Sequence, residues 1–199
     1  MKKYLYIFIL TFIFYGCSIN NQVDKTQMFI LKNDEISSNI SLKKTTKILK
    51  IKSATLPLYL NSKSIIYTQN NISNTYAYHF WADLPSNFYR SFLLSKLEKT
   101  KIFKAVISSK SLLNADYILE SRIDSFEQII NSKQNYTQIA VSVNLIDVKE
   151  NKIIAHQFFN HRENIRQNNI PNIYQSFEKN LNSLTTDIIL WINSNIDQK

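Results

Sequence analysis

The chain has 199 residues and a formal net charge of +9, with 44% hydrophobic, 20% charged and 13% aromatic residues. This composition is typical of a globular protein that buries one core, so a single folded domain is expected. The one glycine is Gly16 and the one cysteine is Cys17. Phosphate-binding P-loops, GxGxxG dinucleotide motifs and GxSxG nucleophile elbows all need glycine, so enzymes built on these motifs are excluded.

The amino terminus reads as an export signal. Two lysines precede an apolar run over residues 4–15, which suits a signal-peptide core and is shorter than the about 20 residues of a membrane-spanning helix. The run ends at Gly16 and Cys17, which resembles the lipobox of bacterial lipoproteins. Signal peptidase would then remove residues 1–16, and Cys17 would carry a diacylglycerol group and an N-acyl chain as its membrane anchor. An uncleaved anchor and an ordinary secretory signal are the alternatives.

The residues after the cysteine predict a location and a tether. Ser18 is not the aspartate that commonly retains Gram-negative lipoproteins at the inner membrane, so the outer membrane, facing the periplasm, is favoured. We interpret residues 17–46 as the acylated cysteine and a polar tether that holds one short strand at 28–31. With its thiol acylated, the mature chain has no disulfide and no cysteine-based zinc site.

The remaining chain alternates between strand and helix patterns. Two helices are predicted, one from Pro85 to about Thr100 and one of about six turns that starts at Pro171. Period-two alternation predicts strands at 49–53, 64–68, 75–81, 102–107, 117–126, 139–145 and 152–160. We therefore predict an α+β fold over residues 47–199, with an antiparallel sheet and both helices packed on one of its faces.

The residues that carry chemistry in enzymes show no catalytic or metal-binding pattern. His79, His156 and His161 have no spacing that would place two metal ligands on one helix face, and the last two should point to opposite faces of a strand. Asp83 is more simply a helix cap and Asp116 a turn residue than members of an acid/base pair. No metal, no cofactor and no enzyme activity are therefore predicted.

Two surface features need an explanation. The lysines within 43–52 form the densest basic cluster, which we interpret as a solvated strand face, with anionic headgroups as the alternative partner. The export signal argues against nucleic acid as a partner. Tyr76, Tyr78 and Phe80 should share one strand face, which belongs either to the core or to an exposed contact surface.

Seven segments of the chain carry a resemblance to a known family. They are the lipobox, the short strand from Met28 to Leu31, Pro57-Leu58-Tyr59-Leu60, Ser64-Ile65-Ile66-Tyr67-Thr68, Trp81-Ala82-Asp83-Leu84, the strand from Ala115 to Glu127, and Ile188-Ile189-Leu190-Trp191-Ile192. In this order they resemble the auxiliary lipoproteins of ABC-type transport systems that accompany MCE-domain lipid transporters. The family-motif residues, of structural or interface role, are Pro57, Leu60, Trp81, Asp116, Asp124, Phe126 and Trp191.

The resemblance implies a non-enzymatic component that docks with an MCE-domain protein and helps to pass phospholipid between the inner and outer membranes. The resemblance is also compatible with a ring of identical copies. The alternative is a structural or assembly lipoprotein, pilotin-like or cell-wall-binding, of another envelope machine. A hydrolase of the envelope ranks last because no group of residues supports it.

Overall fold

The structure is a computed structural model that describes residues 25–34 and 42–196. Residues 1–16 and Cys17, the predicted signal peptide and acylation site, lie outside these ranges. The described elements are, in chain order, β1 (Gln27–Phe29), β2 (Ile48–Ile51), a short 3-10 helix (Leu58–Leu60), β3 (Ser64–Gln69), β4 (Ile72–Trp81), α1 (Pro85–Thr100), β5 (Ala105–Ser108), β6 (Tyr117–Ile130), β7 (Asn135–Asp147), β8 (Lys152–Asn164) and α2 (Ile170–Asn195).

Strand β6 is the central strand of one sheet. On one side β7 pairs antiparallel with it along its whole length, and β8 pairs antiparallel with β7. Its other side is shared, because β2 pairs in parallel with residues 117–119 and β3 pairs in parallel with residues 128–130. Strand β5 extends the sheet beyond β2, and β4 followed by β1 extends it beyond β3.

The predicted α+β single domain with two helices is confirmed, and most of the paired residues are antiparallel. The sheet is nevertheless mixed, because β1 with β4, β2 with β5, β2 with β6 and β3 with β6 are parallel. Alternation along a strand shows which face it buries, and it holds no information about the direction of the neighbouring strand. Strand direction was therefore not predictable from the pattern used.

Both helices begin where the two prolines predict. Pro85 lies in the first turn of α1, and the Asp83 carboxylate accepts hydrogen bonds from the Leu84 backbone N–H at 2.7 Å and the Asn87 amide at 2.8 Å. At α2, the side chain of Asn169 accepts from the Asn172 N–H at 3.0 Å. Asn169 thereby satisfies an N–H group that the first turn of α2 leaves without a partner. At α1 the N-cap residue is Leu84, which makes no side-chain cap hydrogen bond, so Asp83, predicted to be a helix cap, lies one residue before the cap.

Turns that usually contain glycine use asparagine in this chain. Asn70 and Asn71 have φ values of 53° and 64° in the tight turn between β3 and β4, and Asn151 has 49° between β7 and β8. Lys101, at 53°, ends α1. Asparagine is the residue other than glycine that most readily adopts this left-handed conformation, so the near-absence of glycine still permits tight hairpins.

An aromatic cluster joins the sheet to both helices. Trp81 of β4 is fully buried, and its ring contacts Phe88 of α1 and Phe177 of α2 at centroid distances of 6.2 and 5.1 Å. Phe126 of β6 stacks on Phe177 at 5.2 Å. Because one tryptophan touches both helices, the two helices lie on the same face of the sheet, as predicted.

A bulge in β4 changes the predicted arrangement of its aromatic residues. Ser64 pairs with Phe80 but Ile66 pairs with Thr75, so four residues of β4 face one residue of β3. Tyr76 is half-buried and donates a hydrogen bond to the Gln128 side chain at 2.6 Å, whereas Tyr78 is 44% exposed. The bulge interrupts the alternation that would have placed both tyrosines on one face.

Residues 25–34 pack against the domain. Strand β1 pairs in parallel with β4, and the side chain of Asn182 on α2 donates to the Lys32 carbonyl at 2.9 Å and accepts from the Asp34 N–H at 2.9 Å. Further along α2, the side chain of Asn193 likewise donates to the Lys43 carbonyl at 2.7 Å and accepts from the Lys43 N–H at 3.1 Å. The described part of the predicted tether therefore packs along the length of α2. The boundaries at residues 16, 17 and 46 stay predictions.

Candidate functional site

The face of the sheet that points away from the helices holds a polar groove of about 490 Å³. Ser121 points toward the helices, because its hydroxyl lies 2.9 Å from the hydroxyl of Tyr89 on α1. Its neighbours in β6 must point the other way. We call this feature the open-face groove, and its main lining residues are Lys52, Glu120, Arg122, Ser142, Asn144 and His156.

The charged and polar groups of the open-face groove are paired with one another. Lys52 and Glu120 form an ion pair at 2.6 Å. His156 and Asn144 share a hydrogen bond of 2.7 Å across β7 and β8. Such pairs between partly exposed groups stabilise the fold by at most about 1 kcal/mol each, but they fix the positions of groups that can bind a polar partner.

A second bulge places an acidic residue at the edge of this groove. The pairing of β6 with β7 shifts between Ile123 and Ser125, so Asp124 is the extra residue. Its carboxylate accepts from the Arg122 guanidinium at 2.6 Å and from the Ser142 hydroxyl at 2.9 Å. Bulges commonly redirect a side chain in this way. Here the bulge links the two central strands through one carboxylate.

Beyond the bulge, the 3-10 helix lies near a second carboxylate. Glu127 is 9% exposed and accepts hydrogen bonds from the hydroxyls of Ser125 and Thr68. Tyr59 lies nearby, and its pKa is raised by desolvation and by the negative charges of Glu127 and Asp124. A tyrosine with a raised pKa stays a neutral hydrogen-bond donor rather than becoming a base.

The carboxylates along β6 are held by neighbouring groups. The carboxylates of Glu120, Asp124 and Glu127 already accept from a lysine, an arginine or hydroxyl groups. Their roles in the described structure are therefore explained by fixing β6 to its neighbours.

A buried lysine lies between the two helices, on the opposite side of the sheet. Lys96 of α1 is 2% exposed, and its ammonium donates to the Asn182 carbonyl at 2.8 Å and the Thr186 hydroxyl at 3.1 Å. Desolvation lowers the pKa of Lys96 to about 8, and the negative charge of Asp34 offsets part of this effect. The amine adjoins a cavity that Asp34 and Asp187 also line.

The structure brings two of the family-motif residues together, because the rings of Trp81 and Phe126 make an edge contact at 5.9 Å. Leu60, Trp81 and Phe126 are buried in the core, and Pro57 begins the 3-10 helix. Asp116 accepts from the Ile48 N–H at 2.8 Å and the Lys47 ammonium at 3.3 Å, which ties β2 to the start of β6.

Two members of the set lie nearer the surface. Trp191 on α2 is partly buried against the core and makes an edge contact with Phe159 of β8 at 6.0 Å. Asp124 lies beside the open-face groove. The groove as a whole was missed from sequence, although a signal was present, since polar residues recur at every second position from Glu120 to Asp124 and again at Ser142 and Asn144.

The histidines point in the predicted directions. His156 contacts Asn144 on the open face, whereas Nε2 of His161 lies 3.1 Å from the carboxylate of Asp187 on α2. Across the residues that the structure describes, no group of three or more His, Cys, Asp or Glu side chains could hold a metal ion. In the same residues, no helix combines the length and the apolar character needed to cross a membrane.

The fold and these sites can now be compared with known proteins. The model of the family described as "ABC-type transport auxiliary lipoprotein component" matches residues 29–189, which include every strand from β2 to β8, α1 and most of α2. The chain belongs to this family. It is therefore an auxiliary lipoprotein component of ABC-type transport, anchored to a membrane of the cell envelope, and its family is not an enzyme family. No protein of curated function matches the chain in sequence.

Solved structures share the fold of this auxiliary lipoprotein at low sequence identity. The protein XCC0632 from Xanthomonas campestris, with the family description DUF330, is 15% identical and has a TM-score of 0.78 over 85% of this chain and 96% of its own. The hypothetical protein CT253 from Chlamydia trachomatis is 8% identical, with a TM-score of 0.56 over 76% and 98%. A PelC dodecamer from Paraburkholderia phytofirmans is 13% identical, with a TM-score of 0.50 over 77% and 92%.

Proposed function

We propose that this auxiliary lipoprotein is a non-enzymatic component of an MCE-type phospholipid transport system. In this proposal residues 1–16 are removed, Cys17 carries the acyl chains, and residues 47–199 form a periplasmic body at the inner leaflet of the outer membrane. The body docks with the MCE-domain protein of an ABC transporter, and phospholipid passes between the inner and outer membranes. A separate ATPase would supply the energy.

One observation carries the proposal: the family match extends over nearly the whole folded body, residues 29–189. The lipobox-like end of the export signal and Ser18 support the outer membrane as the location. The open-face groove supports a docking role, because its ionic groups are held in fixed pairs on an uncovered sheet face. Fixed polar groups contribute specificity and orientation to an interface more than affinity.

Crosslinking in living cells tests the partner. A photoreactive amino acid replaces Phe158, which is 50% exposed on β8, or Gln175, which is exposed on the outer side of α2. The two positions sample opposite faces of the body. Recovery of an MCE-domain protein from either position supports the proposal. A secretin, pilus or cell-wall component recovered in its place would contradict it and favour the assembly alternative.

A fractionation experiment tests the anchor and its location separately. The wild-type chain should appear in outer-membrane fractions, with a mass that includes diacylglycerol and one further acyl chain on Cys17. The Cys17→Ser variant should retain its signal peptide or appear in the soluble periplasmic fraction. Acylated protein in the inner membrane would contradict the location while leaving the docking proposal to the crosslinking test.

A further inference from the structure

Exposed apolar side chains gather on the edge formed by β1 and β4. Met28 and Ile30 are 70% and 67% exposed, and Tyr78 is 44% exposed. Phe80 is partly exposed and is the direct partner of Met28 in the strand pairing. We call Met28, Ile30, Tyr78 and Phe80 the edge patch. Monomeric soluble surfaces seldom group large apolar side chains in this way, so the patch calls for a partner.

The edge patch lies on the face of the sheet away from the helices. Phe29 and Trp81 are paired neighbours in β1 and β4, and their rings contact Tyr174 and Phe177 of α2. Successive side chains in a strand alternate between faces. Met28 and Phe80, one position away in each strand, must therefore point to the opposite face, where no helix within residues 25–34 and 42–196 covers them.

The length of chain between the proposed anchor and β1 limits where this edge can lie. Residue 17 is the proposed acylated cysteine and Met28 is the first residue of the edge patch, so the two are eleven residue steps apart. Eleven residues span at most about 40 Å when fully extended. With an acylated Cys17, Met28 must therefore lie within about that distance of the membrane surface whatever the orientation of the body.

Cations flank the patch. Lys25 and Lys63 are exposed, and the Lys63 ammonium donates to the Ala82 carbonyl at 2.9 Å, next to the end of β4. The pKa of Asp83 is lowered chiefly by its hydrogen bond with Asn87, and the positive charge of Lys63 adds to this effect, so one carboxylate shares this region. A lysine close to an anionic membrane surface contributes about 1 kcal/mol of attraction.

We propose that the edge patch contacts the same membrane surface that holds the acyl anchor. The inference rests on the proposed acylation of Cys17. Apolar side chains that enter the headgroup region add to the binding energy of the acyl chains, and adjacent lysines meet anionic headgroups. This contact orients the body. The short edge of the sheet at β1 then faces the bilayer, and the end of β6 that is farther from β1 faces the periplasm.

Depth-dependent quenching of a fluorescent label tests this orientation. The full-length acylated protein is reconstituted into vesicles of phosphatidylethanolamine and phosphatidylglycerol that contain phospholipids brominated on their acyl chains. The label is attached in the variants Met28→Cys and Ile30→Cys, since an acylated Cys17 has no free thiol. The matched control is Leu112→Cys, an apolar position that is 99% exposed in the loop before β6.

The proposal predicts blue-shifted emission and several-fold stronger bromine quenching at positions 28 and 30 than at position 112. Equal quenching at all three positions, or the strongest quenching at 112, would overturn it. A disulfide between two copies through position 28, with no bromine quenching, would assign the patch to a second copy and also overturn it.

Two further readouts keep this test separate from the proposed function. Emission of the buried Trp81 checks that each variant is folded. Mass spectrometry of the amino-terminal peptide checks acylation. A folded, unacylated chain refutes the anchor and with it the premise of the membrane contact. A folded, acylated chain without quenching at positions 28 and 30 refutes the membrane contact alone.

Discussion

Replacement of Lys96 by methionine should stabilise the protein at neutral pH. The folded state keeps this side chain 2% exposed, and its pKa falls from an ordinary 10.5 to about 8. Holding the protonated form in this site costs about 3 kcal/mol at one pKa unit per about 1.4 kcal/mol. The adjoining cavity is open to solvent, which screens part of this cost, so we expect a net stabilisation of about 1–2 kcal/mol.

The substitution should leave no buried acceptor without a partner. The Asn182 carbonyl also accepts from the hydroxyls of Thr185 at 3.1 Å and Thr186 at 2.9 Å. Methionine is unbranched and flexible, and it fills the space of the lysine stem. The loss of two hydrogen bonds from Lys96 is therefore small beside the removal of an unfavourable charge.

The effect should depend on pH in a defined direction. Above about pH 8 the folded protein releases the Lys96 proton, while the unfolded chain keeps it until about pH 10.5. The unfolding free energy of the wild type should therefore rise relative to Lys96→Met between these values, and the advantage of the variant should disappear.

Urea denaturation of the full-length protein in detergent micelles measures these differences, with tryptophan emission as the signal. The control is Lys104→Met, because this lysine is exposed before β5. The control should change the unfolding free energy by less than about 0.5 kcal/mol at every pH. Equal pH profiles for the wild type and Lys96→Met, or a strong destabilisation by Lys96→Met at neutral pH, would refute this reasoning.

Two further substitutions test the packing. Trp81→Ala should lower the unfolding free energy by about 3–5 kcal/mol in urea denaturation, because it removes the ring that packs between both helices and β6. Trp191→Ala, at a half-buried site, should lower it by less. Equal losses would contradict the central place given to Trp81. Asp116→Asn should cost about 1–2 kcal/mol and expose the β2 amide of Ile48 to hydrogen exchange, since the weaker acceptor also loses its ion pair with Lys47. Unchanged exchange at Ile48 would show that this carboxylate does not hold β2.

The sequence predicted the elements better than their assembly. Both helices start at the predicted prolines, since a proline in the first turn is a local signal. The strands were also identified by local alternation, although β6 continues to Ile130 and β8 to Asn164. The parallel pairing of β2 and β3 with opposite ends of β6 depends on contacts between residues far apart in the chain, which local patterns do not report.

The open-face groove was missed for a related reason. Its residues come from β6, β7 and β8 and the segment after β2, and only the register of the sheet brings them together. Asp124 was singled out as part of a motif, but its contact with Ser142 depends on a bulge that alternation cannot predict. Asp116, expected to be a turn residue, lies in the bend before β6 and also ties two strands together, which local patterns do not predict.

The most direct test of the transport role is the lipid content of the native complex. The full-length acylated protein is purified together with its crosslinked envelope partners in mild detergent, and the proteins and the noncovalently retained lipids are identified by mass spectrometry. The account predicts an MCE-domain protein and phospholipid in amounts that rise and fall together across preparations. A stable complex with another envelope machine, or an MCE complex free of phospholipid, would contradict it.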